Sequence, residues 1–285
     1  MKEKVGIIDV GGGLRDVYGA GIFDYLMDQK IDIPYCIGVS AGSANVASYV
    51  SGQRGRNLVF YTEYTFEKEY MSMRNLRKKG SYINLDYIYG TLSNEGGKYP
   101  WDYDSAMKSD KEMVVVASNA ETGRANYFYK KDYKKNDYGM LKASSNIPFI
   151  DKPYEWNGKF YYDGAITDAI PYKRCFKDGC TRVIVILTRP KDFRKETGAS
   201  VRLYKTLKKR FPKFVEKMYA RNDLYNRQLD DLIENYEPKG KVLIVAPSDT
   251  CGMDTLTKDK EKMKKLYNKG YEDGKAIKKY LKNIL

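Results

Sequence analysis

The first fifty residues of this chain state one pattern twice: a short apolar run, a glycine-containing turn, and a stretch with helical spacing. Val5–Asp9 (VGIID) reads as a buried strand, ended by Gly11, Gly12 and Gly13. Residues 20–29 follow with Ile22, Tyr25 and Leu26 on one helical face. Tyr35–Val39 (YCIGV) reads as a second strand, Ser40 comes at once, and the small residues of 41–49 read as a second helix. Strands joined through helices run parallel, because a hairpin cannot return the chain in the same direction. The expected class is therefore α/β.

Further strands are expected at 112–118, 126–129, 181–187 and 241–246, where β-branched residues cluster. Residues 53–110 are more polar and aromatic, with helix around 57–70 and turns near Gly80, Gly90 and Gly96-Gly97. Residues 200–237 turn helical. Tyr204, Leu207, Phe211, Phe214, Val215 and Met218 share one face there, and Pro212 marks a kink or a new helix start. A last helix is expected over 258–281. Charge density rises near 190–199, which suggests an α/β domain over 1–195 and a helix-rich extension, 196–285, packed on it.

Composition limits the chemistry. The chain has no histidine, so any acid–base work falls to carboxylates or lysines. Cys36, Cys175, Cys180 and Cys251 form no CxxC pair and read as small apolar thiols; neither metal nor cofactor is expected. A formal net charge of +14 favours anionic partners such as lipid headgroups. Tyrosine and lysine interleave at 127–133, but no nucleic-acid-binding signature accompanies them, and nucleic acid is not an expected partner. No apolar run approaches the roughly 18 to 20 residues of a membrane-spanning helix, and residues 1–10 read as a first strand rather than a secretory signal. The expected location is cytoplasmic, with peripheral contact at an anionic membrane.

Three motifs carry the chemistry. Gly38-Val39-Ser40-Ala41-Gly42 is a G-x-S-x-G set between a strand and a helix. A serine hydroxyl is a weak nucleophile and must be held exposed on a tight turn, which needs small neighbours. The pentapeptide arises by chance in about one chain in ten of this composition, so its placement is what gives it weight. Gly11-Gly12-Gly13-Leu14-Arg15 follows the first strand, and successive glycines let backbone amides converge on an anion. A dinucleotide fingerprint fails because Asp16 stands in its sixth position, and no G-K-[ST] is present, so an oxyanion hole fits better. Asp163-Gly164-Ala165 is by itself a turn signal. It stands out because a serine nucleophile in a chain without imidazole needs a carboxylate or lysine base.

In this order the three motifs resemble the patatin-like phospholipases. The segment Ala143-Ser144-Ser145-Asn146-Ile147-Pro148-Phe149 is similar to the A-S-x-x-[IL]-P element that precedes the D-G-A turn there. The resemblance covers about residues 1–190. It implies a three-layer α/β/α sandwich with a mostly parallel central sheet. It also implies a Ser–Asp dyad: Ser40 as nucleophile, Asp163 as general base and acid, and the Gly11, Gly12 and Gly13 amides as oxyanion hole. Gly38, Gly42, Gly164 and Ala165 complete the motifs, and Arg15 is a candidate contact for a substrate phosphate.

The expected activity is hydrolysis of a lipid acyl ester, of the phospholipase A or lysophospholipase type. Acyl transfer to another alcohol shares the same dyad chemistry. One departure is visible: Asp16 occupies the place of the family's last loop glycine, where a carboxylate is expected to oppose charge on the oxyanion. That departure, the net charge and the basic segment 205–210 motivate an alternative, a membrane-surface binding protein with a silent site. Residues 53–110 are the candidate lid.

Overall fold

The computed structural model describes residues 3–196 and 201–283. Eight strands form one sheet: β1 Val5–Asp9, β2 Tyr35–Val39, β3 Glu112–Asn119, β4 Arg124–Phe128, β5 Tyr154–Trp156, β6 Lys159–Asp163, β7 Arg182–Ile186 and β8 Val242–Val245. The order is β5-β6-β3-β2-β1-β7-β8, with β4 also paired to β3. β3, β2, β1, β7 and β8 run parallel; β4, β5 and β6 are antiparallel to their neighbours. The expected parallel core with helices on both faces is what forms.

The apolar runs lie at the centre because a parallel strand is covered on both faces. All five residues of β1 are buried, as are all five of β2. Successive side chains point to opposite faces and divide the core in two. Ile7, Val115, Ile184 and Ile186 join a cluster with helix α1, Val17–Asp28, and helix α2, Ala41–Val50. Ile8, Ile37, Val39, Val114, Val116, Val183 and Val185 face the other way, toward Tyr172, Tyr225 and Leu229. Those residues come from helices Tyr172–Lys177 and Pro212–Asp231.

The C-terminal third enters the same architecture. β8 extends the sheet beside β7, and helix Lys260–Asp273 packs along α1. Tyr267 Oη donates to Asp24 Oδ2 at 2.6 Å, and Tyr18 Oη donates to Asp273 Oδ2 at 2.8 Å. Pro212 starts a helix at its first turn, where a missing N–H costs nothing. Phe211, Phe214, Val215 and Met218 are buried against Tyr162 and Ile166. The apolar face of that segment is therefore taken up by the core and is not free to meet a membrane. Of the basic segment 205–210, the Lys205 side chain lies outside the described residues.

Three expectations change. Helix 57–70 stops early, at Thr62, and a helix Met73–Lys79 follows where loop was expected. The last helix is two, Lys260–Asp273 and Lys275–Lys282, parted at Gly274. The β5–β6 hairpin was absent from the expectation, although Asn157-Gly158 between two aromatic runs is its sequence signal. Among the described residues no helix is long and apolar enough to cross a membrane.

One feature of the sheet positions the site. β3 outruns β2: residues 112–116 pair with β2, whereas Ala117, Ser118 and Asn119 pair with β6. β4 lies along the opposite edge of β3 through both stretches, so β2 and β6 occupy the same edge end to end. Val39 pairs with Val116 and Asp163 with Ala117. The last residue of β6 therefore abuts the residue that follows β2, which is Ser40.

Candidate active site

Ser40 sits at the carboxyl end of a central parallel strand, where open α/β sheets place their ligands. Its backbone has φ 55° and ψ −130°, a conformation rarely adopted by non-glycine residues, with a cost of order 1–3 kcal/mol. The surroundings hold it there. Ser40 N donates to Ser144 Oγ at 2.8 Å, and Ser43 donates to Ser40 O through both its N, at 3.0 Å, and its Oγ, at 2.6 Å. The flanking glycines leave the turn room. A Cβ at Gly38 would stand 2.3 Å from Ser43 Cα, and one at Gly42 would stand 2.5 Å from Asp9 O.

Asp163 and Ser40 line the same cavity, and the Ser40 hydroxyl lies close enough to act on the Asp163 carboxyl. Asp163 Oδ1 accepts from Ala165 N at 2.9 Å, and the Asp163 N–H donates to Asn146 O at 2.9 Å. Gly164 lies so close to β3 that a Cβ would come within 2.2 Å of Val116 O. Burial raises the Asp163 pKa above its ordinary value; the nearby Ser40 hydroxyl and the Ala165 amide oppose that shift, as do the Lys195 and Arg221 charges. A carboxylate so placed is a stronger base than one in water. The segment 143–149 acts as a clamp: Ser144 fixes one member of the pair and Asn146 the other. Sequence reading singled out the segment without the roles of these two residues.

The glycine loop arches beside Ser40. A Cβ at Gly11 would stand 3.0 Å from Ser40 Cβ. Thr188 Oγ1 donates to Gly11 O at 2.6 Å and Leu14 N to Thr255 O at 2.9 Å, tying the loop down. Of the three expected oxyanion amides, Gly11 is already engaged, since its N–H donates to Asp9 Oδ1 at 3.1 Å. The Gly12 and Gly13 amides carry no such bond among the described residues.

Asp16 is turned inward. It is fully buried, and its carboxyl turns toward Gly19 and the Asp9 carboxyl. Burial and the neighbouring Asp9 raise its pKa well above the ordinary value. Asp9 itself is pushed up to about 6, chiefly by burial, with Asn45, Asp16 and the Gly11 amide pulling the other way.

This pair has a consequence for stability. A buried acid with a raised pKa contributes stability that is fully present below the unfolded value and is lost as pH rises through the folded one. Asp9, near 6, and Asp151, pushed up by burial to about 7, set the window. Asp9 alone corresponds to about 3 kcal/mol between pH 4 and pH 7. The melting temperature is expected to be several degrees higher at pH 5 than at pH 8 in thermal unfolding followed by circular dichroism. Equal values would show that these acids are not held as described.

Two cavities meet at Ser40. One is narrow and apolar, lined by Leu14, Phe60, Tyr61, Ile88, Ile147 and Leu256 among others. Much of its wall comes from residues 53–110, the candidate lid. The second, about 480 Å³, holds Ser40, Asp163 and the glycine loop, and it is lined by Arg15, Arg189, Lys195 and Arg221. Arg15 Nη1 and Arg189 Nη2 share Asp254 Oδ1, at 3.0 and 2.9 Å. Of these four cations the sequence suggested only Arg15. Lys195 lay in the segment whose charge density had marked it as a boundary.

The family model described as Patatin-like phospholipase matches residues 10–175, and one described as Domain of unknown function (DUF6363) matches residues 211–285. Over 192 residues the chain is 28% identical to Uncharacterized protein YjjU of Escherichia coli (strain K12), covering 66% of this chain and 52% of that protein. Over 184 residues it is 27% identical to Probable lipid hydrolase 463L of Invertebrate iridescent virus 6, covering 56% of this chain and 59% of that protein. The matched regions thus span little more than half of these curated relatives. Among solved structures, VipD from Legionella pneumophila shares the fold, with a TM-score of 0.50 at 12% identity over 97% of this chain and 67% of that one.

Proposed function

Since the chain belongs to the patatin-like phospholipase family, we propose that it is a serine lipid acyl hydrolase whose Ser40 attacks an acyl ester while Asp163 carries the proton. The observation that bears most on this is the placement of Ser40 beside the buried Asp163 carboxyl in one cavity, with an apolar cavity adjoining it. As Ser40 Oγ bonds to the acyl carbon, its proton passes to Asp163. The oxyanion forms against the Gly12 and Gly13 amides, with Gly11 as the hinge that presents them. Asp163 then protonates the departing alkoxide. Water attacks the acyl-enzyme, gives its proton to Asp163, and releases the fatty acid as Ser40 regains its hydrogen. The acyl chain lies in the apolar cavity. In this reading residues 1–195 are the catalytic domain and 196–285 an extension packed on it.

A fluorophosphonate probe tests the reading. The wild type is expected to be labelled on Ser40, and Ser40→Ala to show no labelling. Failure of the folded wild type to react would remove the activated serine from the proposal.

A further inference from the structure

The larger cavity carries more positive charge than the ester chemistry requires. Its four cations lie beside a single reacting carboxylate, Asp163; Glu196, an exposed residue, is the other acid in the lining. Asp254 adds a third acid, already shared by Arg15 and Arg189. Lys195 and Arg221 are different. Neither is paired with a carboxylate among the described residues, and both are half-buried. The Lys195 ammonium lies 4.2 Å from the centroid of the Tyr225 ring. Burial, together with Arg221, Arg15 and Arg189, pulls its pKa down to about 8 against the pull of Asp163. Arg15 is 7% exposed and its Nε has no hydrogen-bond partner. Such a gathering of partly buried cations attracts a further anion.

We infer that Lys195 and Arg221, with Arg15 and Arg189 behind them, form a headgroup subsite for a phosphomonoester, so that the substrate is a compact acyl ester bearing a terminal phosphate. This rests on the Ser40–Asp163 reading, and the arrangement of the cavities argues for it. Ser40, Gly13, Ile147 and Thr255 line both, so an ester held at Ser40 has an apolar channel on one side and the cationic chamber on the other. Monoacylglycerol phosphate has that polarity. A quaternary ammonium head would want an open aromatic face, and the Tyr225 face is taken by Lys195. Arg221 and Tyr225 belong to the long helix Pro212–Asp231. The C-terminal segment would then select the substrate while the N-terminal one carries the chemistry.

The test compares kcat/KM for monoacylglycerol phosphate, monoacylglycerol and monoacylglycerophosphocholine of one chain length in identical neutral micelles. The wild type is expected to prefer the phosphomonoester about tenfold or more over either competitor. Lys195→Met and Arg221→Gln are each expected to cut that ratio about tenfold, the size of a charge-assisted hydrogen bond, while Lys195→Arg keeps most of it. Calorimetric titration with glycerol 3-phosphate reads the subsite without turnover, and both neutralising variants are expected to bind it about tenfold more weakly. Ratios unmoved by either substitution would overturn the inference. So would binding of glycerol 3-phosphate with no preference among the lipids, which would assign the cations to a soluble phosphate. If the probe fails to label Ser40 but the variants still weaken phosphate binding, the hydrolase reading fails and the anion site stands.

Discussion

Ser40→Ala is expected to lower turnover of an acyl ester by on the order of 10⁴- to 10⁶-fold while the circular dichroism spectrum stays native. The loss is large because in the proposed mechanism Ser40 is the group that forms the acyl-enzyme. The fold should survive because the two backbone anchors do: residue 40 still donates to Ser144 Oγ, and its carbonyl still accepts from Ser43. Asp163→Asn should cost on the order of 10³- to 10⁴-fold, since an amide cannot take the proton although it can still accept from Ala165 N. In the wild type the carboxylate is the active form and burial raises its pKa. The kcat/KM profile should therefore rise with pH through a value above the ordinary carboxylate range. Turnover persisting in purified Ser40→Ala, at a tenth of wild type or more, would remove Ser40 from the mechanism.

Gly11→Ala should lower kcat by about 10²- to 10³-fold with a much smaller change in KM. Gly11 has φ 73°, and a Cβ there would lie 2.2 Å from Val39 O and 3.0 Å from Ser40 Cβ. The Val39 carbonyl belongs to a central strand and cannot yield, so the loop must. The left-handed conformation adds about 1–2 kcal/mol for an alanine. Displacing the loop takes the Gly12 and Gly13 amides off the position of the oxyanion, and one such donor is worth about 2.7–4 kcal/mol of transition-state stabilisation. Steady-state kinetics on a soluble ester, with thermal unfolding as a check on the fold, reads both effects. A kcat within threefold of wild type in a stable variant would mean that the loop does not serve the oxyanion.

Local pattern and spacing made much of this legible. The central strands were readable because each is a short β-branched run buried on both faces, and the Ser40 turn because it demands glycines at 38 and 42. Asp163 was reached by a different route, through the lack of histidine and a resemblance, since Asp-Gly alone is an ordinary turn. The helices of 53–110 were harder because that region mixes aromatic and polar residues without a sustained period. The surroundings of Asp16 were not legible for a physical reason. One-dimensional adjacency to the glycine loop suggested a charge at the oxyanion, whereas the group is fully buried beside Asp9, which raises its pKa.

The sequence by itself determined the parallel α/β core and the tight glycine-flanked turn at Ser40. These follow from hydrophobic period and from the conformational needs of a few glycines, both of which are local. The tertiary structure decided which groups meet. Ser40 and Asp163 are separated by more than a hundred residues and come together because β6 continues the edge of β3 where β2 ends. The four cations of the larger cavity come from three stretches of chain, and only their packing makes them one site. Such placements depend on long-range pairing and on burial, and these exist only once the sheet has closed.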